Sequence, residues 1–538
     1  MEILKEFMLK PWLYLTIVLS SLVIKLVTVD NRYFWRDEIY TIHHTSGNSE
    51  FTLSETAPLN EIKNISYYKR LLSLNERELT ISSQIKDQSK MPNLNPLHYY
   101  FLVFWHRLVG DDDTHYRLFS IFMFLLCIPV LFFLTKHLFS SNLAGWITIS
   151  LFALSPFFHF YAHEARYNML LAFVLISSHY MLLKAIDHNK LKYWIGYTIA
   201  GIMVLYTSLT AGVVLFGHFL FVMILKKKVR KTYILAGFII LLGYLPWIIS
   251  IINNRIEISN SLAWQYELKP DIINQIRLFI FQLMSIGRSF VNFSLYADWV
   301  LYFFNGKLQA NNIAQLLANI FVLMVLVYSI IIAFKNLPKD NFWFLIFITI
   351  PLLLFLFIVD VIRGSLASVV ERYQLAVYLG TLIFISYLLY GKILQKRLNF
   401  ILLYLIFVVF GIISLSKIAT DKQGLSIGIN SKIVSTASFV SKAESPLIIT
   451  NGNNPHFFWG EFLSLLNACE SESIDILYAH ENIENVKKMI SGNGYSNVYI
   501  AMVSDDLKIN LETQFENKMI KVENNNILQL WEIKINAN

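Results

Sequence analysis

Long apolar runs, separated by short polar connectors, alternate along the first 420 residues of this chain. A helix needs about 20 consecutive apolar residues to cross the hydrocarbon core of a bilayer. The runs that reach or approach this length are Trp12–Val29, Leu118–Phe133, Leu143–Phe160, Met169–Leu183, Tyr193–Ser208, Leu209–Leu225, Tyr233–Ile252, Ile313–Phe334, Phe342–Val359, Tyr373–Leu389 and Phe400–Ile418. The pattern therefore predicts a mainly α protein, a polytopic transmembrane helical bundle with about 11 spans.

The pattern changes at about Thr420, where the long apolar runs end. Shorter apolar runs of strand length follow, with helical patterns such as Glu481–Ile490 between them. These short runs are Leu447–Thr450, Ile474–Tyr478, Asn497–Val503 and Ile527–Ile533. Alternation of this kind is typical of a small α/β domain. We therefore predict two domains, a transmembrane module at 1–419 and an α/β domain at 420–538.

The composition agrees with a membrane protein, because 55% of the residues are hydrophobic and the mean hydropathy is +0.51. Soluble domains are about 45–50% apolar. A net charge of +8 could indicate nucleic-acid binding. However, many basic residues, such as those of the segment Lys226–Lys231, lie in short connectors between apolar runs, which is typical of cytoplasmic loops. We therefore expect the lipid bilayer, and no nucleic acid, as a partner.

The positions of the basic connectors also predict an orientation. If the N-terminus is cytoplasmic and each predicted span crosses once, every short basic connector lies on the cytoplasmic side. An additional crossing at Leu97–Val109 would break this rule, so we expect that segment to be a helix lying in the outer interface. Its Tyr99, Tyr100 and Trp105 are residue types that are enriched at that level.

This topology predicts three extracytoplasmic regions in a multi-pass protein of the cell membrane. They are the loop at 30–117, the segment at 253–312 and the C-terminal domain. The segment at 253–312 carries an amphipathic stretch, Asp271–Gly287, which we expect to lie flat on the membrane. Loops this long are usually functional or have structure of their own, so these regions are the first candidates for chemistry.

Two adjacent carboxylates, Asp37 and Glu38, follow the first predicted span. Aromatic residues and Arg36 flank them, and acidic side chains at a membrane surface are costly unless they are used or paired. A carboxylate at this boundary is well placed to accept a proton from a hydroxyl group. The alternative is a solvated pair in an ordinary loop, and the residues alone leave it open.

A second candidate lies between the third and fourth predicted spans. Pro156 should end or kink the helix there, and His163, Glu164 and Arg166 then cluster on the outer side. An arginine presents fixed donors that suit phosphate oxygens, so Arg166 could bind a lipid phosphate. The alternative is an arginine that reaches lipid head groups beside an aromatic belt.

A third candidate is the predicted outer segment from Asp360 to Tyr373, which carries Glu371 and Arg372. A second cation would stabilise the negative charge that grows on a departing phosphate. The residues alone favour the alternative, a salt-bridged loop in which Glu371 pairs with Arg372 or Arg363.

A divalent metal could bind His159, His163, Glu164 and Glu38, because these side chains are of ligand types. Their spacing does not match a tight ligand motif. We therefore predict no metal site and no required cofactor, and a divalent metal is left open as the alternative. The sequence also lacks a P-loop, a glycine-rich dinucleotide turn and a convincing Ser-His-Asp arrangement in the tail.

Three motifs occur in order within roughly the first 190 residues. Trp35–Glu38, Asn95–Tyr100 and Ala153–Tyr167 resemble, respectively, the aspartate–glutamate pair, the proline–leucine–tyrosine–tyrosine helix and the "LSP…EAR-x-Y" segment of one family. That family is the GT-C-type membrane glycosyltransferases related to dolichyl-phosphate-mannose protein mannosyltransferases, which include the aminoarabinose transferase of lipid A. Asn95 and His163 depart from the usual residues, and these departures concern the substrate more than the reaction.

The resemblance implies an inverting glycosyltransferase that moves a sugar from a polyprenyl-phosphate donor to an acceptor hydroxyl on a protein, lipid or glycan. It implies that Asp37 is the general base and that Glu38 orients this base or binds the acceptor. The residues that it assigns to the donor phosphate and sugar are Arg166, Glu164, His163, Tyr167 and Arg372, and those at the acceptor or interface are Tyr99 and Tyr100.

Two other classes of protein are alternatives to this hypothesis. A secondary transporter would place ionisable residues near the bilayer midplane, as Lys25 is placed within the first predicted span. Most ionisable residues outside the basic connectors instead cluster at the predicted outer boundary. A structural or cell-envelope assembly protein would not need Asp37, Glu38 and Arg166 together.

Overall fold

The computed structural model describes residues 6–46, 53–54, 56–72, 85, 88–89, 94, 96–110, 112–261, 271–293, 310–420, 427–452, 455–484, 486–491, 494–495, 497–515, 519–524 and 527–533. The helices in these residues are α1 (Pro11–Val27), α2 (Arg36–Thr45), α3 (Ile65–Arg70), α4 (Leu97–Val109), α5 (Asp113–Phe139), α6 (Asn142–Leu154), α7 (Pro156–Ala162), α8 (Asn168–His188), α9 (Leu191–Thr207), α10 (Gly212–Leu225), α11 (Arg230–Asn253), α12 (Arg255–Ser261), α13 (Ile272–Arg288), α14 (Ala310–Asn336), α15 (Lys339–Arg363), α16 (Leu375–Leu394), α17 (Leu398–Thr420), α18 (Ile427–Ser441), α19 (Pro455–Ala468), α20 (Val486–Ser491) and α21 (Asp505–Gln514). The strands are β1 (Ile62–Asn64), β2 (Pro446–Thr450), β3 (Asp475–Tyr478), β4 (Asn497–Ala501), β5 (Met519–Lys521) and β6 (Leu530–Ile533).

Each predicted membrane run is helical, with the third run divided between α6 and α7, so the polytopic helical fold is confirmed. In the described part of the chain, seven helices are long and apolar enough to cross a bilayer, namely α5, α8, α11, α14, α15, α16 and α17. The bent pair of α6 and α7 adds an eighth candidate, while α1 and α10 are shorter apolar helices. The number of crossings and the orientation stay predictions. Parts of the predicted loops at 30–117 and 253–312, including Asn95, lie outside the described residues.

The chain forms two compact units. The helical unit comprises Met1–Val29, Gln88–Phe101 and Thr114–Thr420, and the α/β unit comprises Asp30–Asp87, Leu102–Asp113 and Asp421–Asn538. These boundaries differ from the predicted ones, because most of the first long loop joins the C-terminal segment. The predicted division at residue 419 follows the long apolar runs, which do not reveal what a polar loop packs against.

Helix α16 is the most buried of the candidate spans and packs on α6, α14 and α15. Glycines permit close approach at two contacts with α15. A Cβ on Gly380 would lie 1.9 Å from Thr349 Oγ1, and one on Gly217 of α10 would lie 1.9 Å from the Phe347 carbonyl oxygen. Small residues at such contacts are typical of helices that associate within a membrane. These contacts fix α15, and with it the loop that follows its end.

The third predicted run is divided at Pro156, as the sequence predicts. Helices α6 and α7 meet at an angle of 63°. Ser155 caps α7 by accepting a hydrogen bond from the Phe158 backbone N–H (3.5 Å), and its hydroxyl donates to the Ser289 carbonyl oxygen (2.6 Å). Proline at the first position of a helix lacks an N–H that would have no partner there. The bend therefore directs α7 toward the loop that carries the second candidate motif.

A mixed sheet with the strand order β1-β3-β2-β4-β6-β5 forms the centre of the α/β unit. Strand β2 pairs in parallel with both β3 and β4, and the remaining pairs are antiparallel. The predicted strands of the tail are present as β2, β3, β4 and β6, which confirms a small C-terminal α/β region. Edge strand β1 comes from the first long loop, and its Ile62 pairs with Leu477 of β3.

Candidate active site

The acidic pair lies in the first turn of α2 within the α/β unit. Trp35 is the N-terminal cap residue, so Asp37 and Glu38 are near the positive end of the helix dipole, where carboxylates are stabilised. The Glu38 residue is only 2% exposed, whereas the Asp37 side chain is 15% exposed. Asp37 is therefore the more accessible of the two carboxylates, which suits it to contact an acceptor.

Arg36 lies between two carboxylates of the same unit. Its Nη1 is 3.1 Å from Glu461 Oε1, a hydrogen-bonded ion pair, and its Nε is 3.7 Å from Asp37 Oδ1. A guanidinium has several donors in a fixed plane, so it can serve two acceptors at once. The sequence motif predicted Arg36 beside Asp37 but gave no indication of Glu461, which lies 425 positions away.

The second candidate motif forms a tight buried turn in the helical unit, between α7 and α8. His163, Glu164 and Arg166 are each no more than 8% exposed. The Arg166 backbone N–H donates to the Glu164 carbonyl oxygen (2.8 Å), and the Ser120 hydroxyl donates to the same oxygen (2.5 Å). The guanidinium of Arg166 also lies over the Tyr167 ring, 5.6 Å from its centroid. The turn is thus fixed by α5 as well as by its own backbone.

His163 caps α7 and connects this turn to α1. Its Nδ1 donates to the His159 carbonyl oxygen (3.0 Å), and its Nε2 lies 3.0 Å from the Thr28 hydroxyl oxygen. Both ring nitrogens are engaged within the protein, which favours a structural part for His163. That His163 contacts the donor stays a prediction.

Arg372 lies in the 3₁₀ turn Glu371–Gln374 between α15 and α16, and its guanidinium lies 5.6 Å from the Tyr373 ring centroid. Tyr161 of α7 is within electrostatic range of both Glu164 and Arg372. The structure therefore brings the second and third candidate motifs, far apart in sequence, into one neighbourhood of the helical unit.

Asp360, at the end of α15, organises the loop before Arg372. Its carboxylate is 1% exposed and accepts from the Ser365 hydroxyl (2.5 Å) and from the backbone N–H groups of Ala367 (2.7 Å) and Ser368 (2.9 Å). Gly364 has a φ of 65°, which lets the chain leave the helix abruptly. In the sequence Asp360 marks only the start of the third candidate segment, and no local pattern indicates its anchoring contacts.

The sequence predicts that Glu371 pairs with Arg372 or Arg363, and this prediction is wrong. Glu371 instead pairs with Arg288 at the end of α13, whose side chain is 7% exposed. Arg288 follows the predicted amphipathic stretch by one residue, and a basic residue in the last turn of such a helix was the available signal. The partner of Glu371 therefore comes from α13 and not from its own loop.

The helix α4, predicted at the outer interface, has the predicted bounds. Its Tyr99 is buried, and burial raises the pKa of the partly buried Tyr100. The preceding His98 is 1% exposed, and burial, with the nearby charge of Arg166, lowers its pKa to about 3. His98 is therefore a neutral imidazole beside Arg166. His98 lies within the motif Asn95–Tyr100, of which only Tyr99 and Tyr100 are predicted site residues.

A second group missed by the site prediction lies deeper in the helical unit. Lys25 is fully buried in α1, with Nζ 2.7 Å from the Ser21 hydroxyl oxygen and 2.8 Å from His159 Nδ1. Its Nζ also lies 4.2 Å from the Phe124 ring centroid. A lysine inside an apolar run was the signal for it.

Among the described residues, no group of three or more His, Cys, Asp or Glu side chains is arranged to hold a metal ion. The acidic pair belongs to the α/β unit, and the two arginine motifs belong to the helical unit. That Asp37 and Arg166 contact the same bound substrate stays a prediction.

Comparisons with known proteins agree with these observations. The family model described as dolichyl-phosphate-mannose-protein mannosyltransferase matches residues 90–249. The crystal structure of ArnT from Cupriavidus metallidurans bound to undecaprenyl phosphate is similar, with a TM-score of 0.52 and 13% identity over 98% of this chain and 98% of that chain. The apo structure of the same protein gives 0.50 and 12%, over 97% and 98% of the two chains. No curated protein sequence matches this chain.

The class of protein is therefore a polytopic membrane protein of the GT-C architecture, because the likeness to ArnT covers nearly the whole chain. At 13% identity that likeness establishes the fold alone. The family match covers α4 and the arginine turn, and it supports the resemblance to the mannosyltransferase family that the motifs predicted. Together these findings indicate a membrane glycosyltransferase.

Proposed function

We propose that this protein is an inverting glycosyltransferase that transfers a sugar from a polyprenyl-phosphate donor to an acceptor hydroxyl on the outer face of the cell membrane. The observation that carries the proposal is the buried turn with Glu164 and Arg166, within the stretch that the family model matches. An arginine that is held by its neighbours is preorganised for a phosphate. The ArnT structure bound to undecaprenyl phosphate gives further support for a donor of this class.

The proposed reaction is a single displacement at the anomeric carbon. The acceptor oxygen forms a bond to that carbon while the bond from the carbon to the phosphate oxygen breaks, and polyprenyl phosphate leaves. Asp37 takes the proton of the acceptor hydroxyl, and Glu38 orients the base or the acceptor. The configuration at the anomeric carbon inverts because attack and departure occur on opposite faces.

The phosphate gains negative charge as it leaves the sugar. Arg166 and Arg372 would stabilise this charge, since fixed cations act without reorganising during the reaction. Glu164 would hold Arg166 or contact the sugar, with His163 and Tyr167 beside the donor and Tyr99 and Tyr100 toward the acceptor or the interface. A donor with one phosphate does not require a metal in this scheme, because the arginines supply the positive charge.

The orientation belongs to the same proposal. With a cytoplasmic N-terminus, the acidic pair, the arginine motifs and the C-terminal region lie outside the cell membrane. The acceptor is then an extracytoplasmic protein, lipid or glycan. The sugar is left open, with mannose, another hexose and aminoarabinose as the first donors to compare.

The test is release of polyprenyl phosphate by the purified protein in liposomes. Undecaprenyl-phosphate donors with different labelled sugars would be supplied with and without membrane extracts as a source of acceptor. We expect release of the lipid phosphate together with incorporation of label, and both should be about 10²-fold slower in Arg166→Gln. Solute uptake without release would instead favour a transporter. Neither activity with any donor would favour an assembly protein.

The acceptor can be identified independently of the purified protein. Mass spectrometry would compare the glycoproteins, lipids and glycans of a strain that lacks this protein with those of its parent. We expect one class of acceptor to lose one sugar residue, and the wild-type protein should restore it. An Asp37→Asn protein should be present in the membrane at a normal level but should not restore it.

A further inference from the structure

The helix that carries the acidic pair packs against a helix of the C-terminal segment. Within the α/β unit, α2 and α19 are in direct contact. The two helices approach closely at Gly460, where a Cβ would lie 2.7 Å from Arg36 Cγ and 2.6 Å from the Tyr40 ring. The Ser464 hydroxyl also donates to the Phe34 carbonyl oxygen (2.6 Å), just before α2 begins. The position of α2 is therefore set by Gly460 and Ser464, which lie about one turn apart on α19.

The first long loop is bound to the C-terminal segment at further points. Trp459 is fully buried, and its Nε1 donates to the Ser54 hydroxyl oxygen (2.9 Å). Strand β1 adds to the edge of the sheet beside β3. The C-terminal segment thus has a structural task in this unit, since it forms the framework on which the acidic helix rests.

The side chain that connects this framework to the acidic pair is Glu461. Its Oε1 binds Arg36 Nη1, while Asp37 Oδ1 lies near Arg36 Nε. The Glu461 side chain is 23% exposed and that of Arg36 is 27% exposed. Exposed ion pairs contribute little to stability, so stability alone is a weak reason for this contact. Its geometric effect is larger, because it fixes the guanidinium that adjoins Asp37.

We propose that Glu461 is a positioning residue for the transfer reaction, acting on Asp37 through Arg36, and that the C-terminal region thereby completes the acceptor side of the active site. This inference rests on the proposed function. Without Glu461, the Arg36 side chain loses one anchor and turns toward Asp37 or away from the helix. Either movement changes how Asp37 meets the acceptor hydroxyl, and catalysis is sensitive to displacements of about 1 Å.

The donor should bind independently of this contact. The residues proposed to bind the donor phosphate belong to the helical unit, whereas Glu461 and Arg36 belong to the α/β unit. Loss of Glu461 should therefore lower kcat and leave the KM for the donor unchanged. A general loss of folding would instead reduce the amount of active protein and lower the melting temperature.

The experiment compares Glu461→Ala with Glu461→Gln in the polyprenyl-phosphate release assay. We expect Glu461→Ala to lower kcat about 10-fold to 100-fold, the range in which supporting contacts of an active site act. Glu461→Gln keeps an oxygen that accepts from Arg36 and should recover most of the rate. The matched control is Glu472→Ala, which breaks the ion pair between Lys69 and Glu472 (2.8 Å) in the same unit and should keep the wild-type kcat.

A double-mutant cycle with Arg36→Met tests the route through Arg36. If Glu461 acts through Arg36, Glu461→Ala should have little further effect on kcat in the Arg36→Met background. Additive losses, an unchanged kcat in Glu461→Ala, or equal losses in Glu461→Ala and Glu472→Ala would each overturn the inference while leaving the proposed function intact. Absence of release by the wild-type protein would overturn both.

Discussion

The acidic helix of the α/β unit and the arginine turn of the helical unit are encoded in different ways. The arginine turn lies in one stretch of sequence, where Pro156 begins α7 and Arg166 follows ten positions later. The acidic helix α2 is also local in sequence, but its supporting helix α19 lies more than 400 positions away. A local motif can be recognised without the fold. A support assembled from distant segments becomes visible only when the fold is known.

The environments of the two halves also differ. The arginine turn is enclosed by apolar helices. Each of its residues from His163 to Arg166 is at most 8% exposed. Asp37 and Arg36 remain partly open to solvent. A buried cation attracts an anion strongly because little water screens it, whereas a partly open carboxylate can receive a hydroxyl that arrives from water. The contrast agrees with a division into a donor half and an acceptor half.

The largest expected effect is on the acceptor side and tests this division. Asp37→Asn should lower kcat for transfer about 10²-fold to 10⁴-fold, because the proton of the acceptor hydroxyl loses its base. The amide keeps the size of the side chain, so the donor should still bind. Binding of a labelled donor and the rate of polyprenyl-phosphate release would be measured on the same sample. A variant with near-normal turnover would contradict the assignment of the base.

The next effect concerns the donor side. Arg166→Gln should lower kcat/KM for the donor about 10²-fold, since one fixed cation is lost from the phosphate. Part of this loss should appear as weaker donor binding, unlike the loss in Asp37→Asn. Arg397→Gln, in an exposed basic connector, is the matched control and should retain the wild-type values. Equal donor affinity in wild type and Arg166→Gln would break the proposed division.

The next expected effect is on stability, not on transfer, and concerns the loop that carries Arg372. Asp360→Ala removes the acceptor of three hydrogen bonds in a site that is 1% exposed. Buried donors left without partners cost about 1–3 kcal/mol each, so the free energy of unfolding should fall by about 3 kcal/mol or more. Thermal unfolding in detergent would measure the loss. An unchanged melting temperature would show that the loop does not depend on Asp360.

Several parts of this fold could be predicted from the order of apolar residues alone. The helices and the tail strands follow from run length and alternation, and Pro156 marks the bend correctly. The anchors could not be predicted in the same way. Asp360, Arg288 and Glu461 look like ordinary surface charges in sequence, because their partners are brought to them by the tertiary fold.

The smallest expected effect concerns His98, next to Arg166. Its pKa of about 3 lies below the ordinary value of 6.5, so the folded protein holds the neutral imidazole while an unfolded chain is protonated at acidic pH. The contribution of His98 to stability should therefore be constant well above pH 6.5 and should fall as the pH drops through 6.5 toward 3, by at most about 1.4 kcal/mol per pH unit. Among the described residues, neither ring nitrogen has a hydrogen-bond partner.

His98→Gln removes this titration and is the variant that tests it. The difference in melting temperature between wild type and variant should change between pH 6.5 and 4.5 and stay constant between pH 7 and 9, where the imidazole is neutral in both states. The higher range is thus an internal control. A difference that stays constant across both ranges would mean that His98 titrates alike in the folded and unfolded protein. The donor half would then be less sheltered from water than its burial indicates, and the contrast with the acceptor half would weaken.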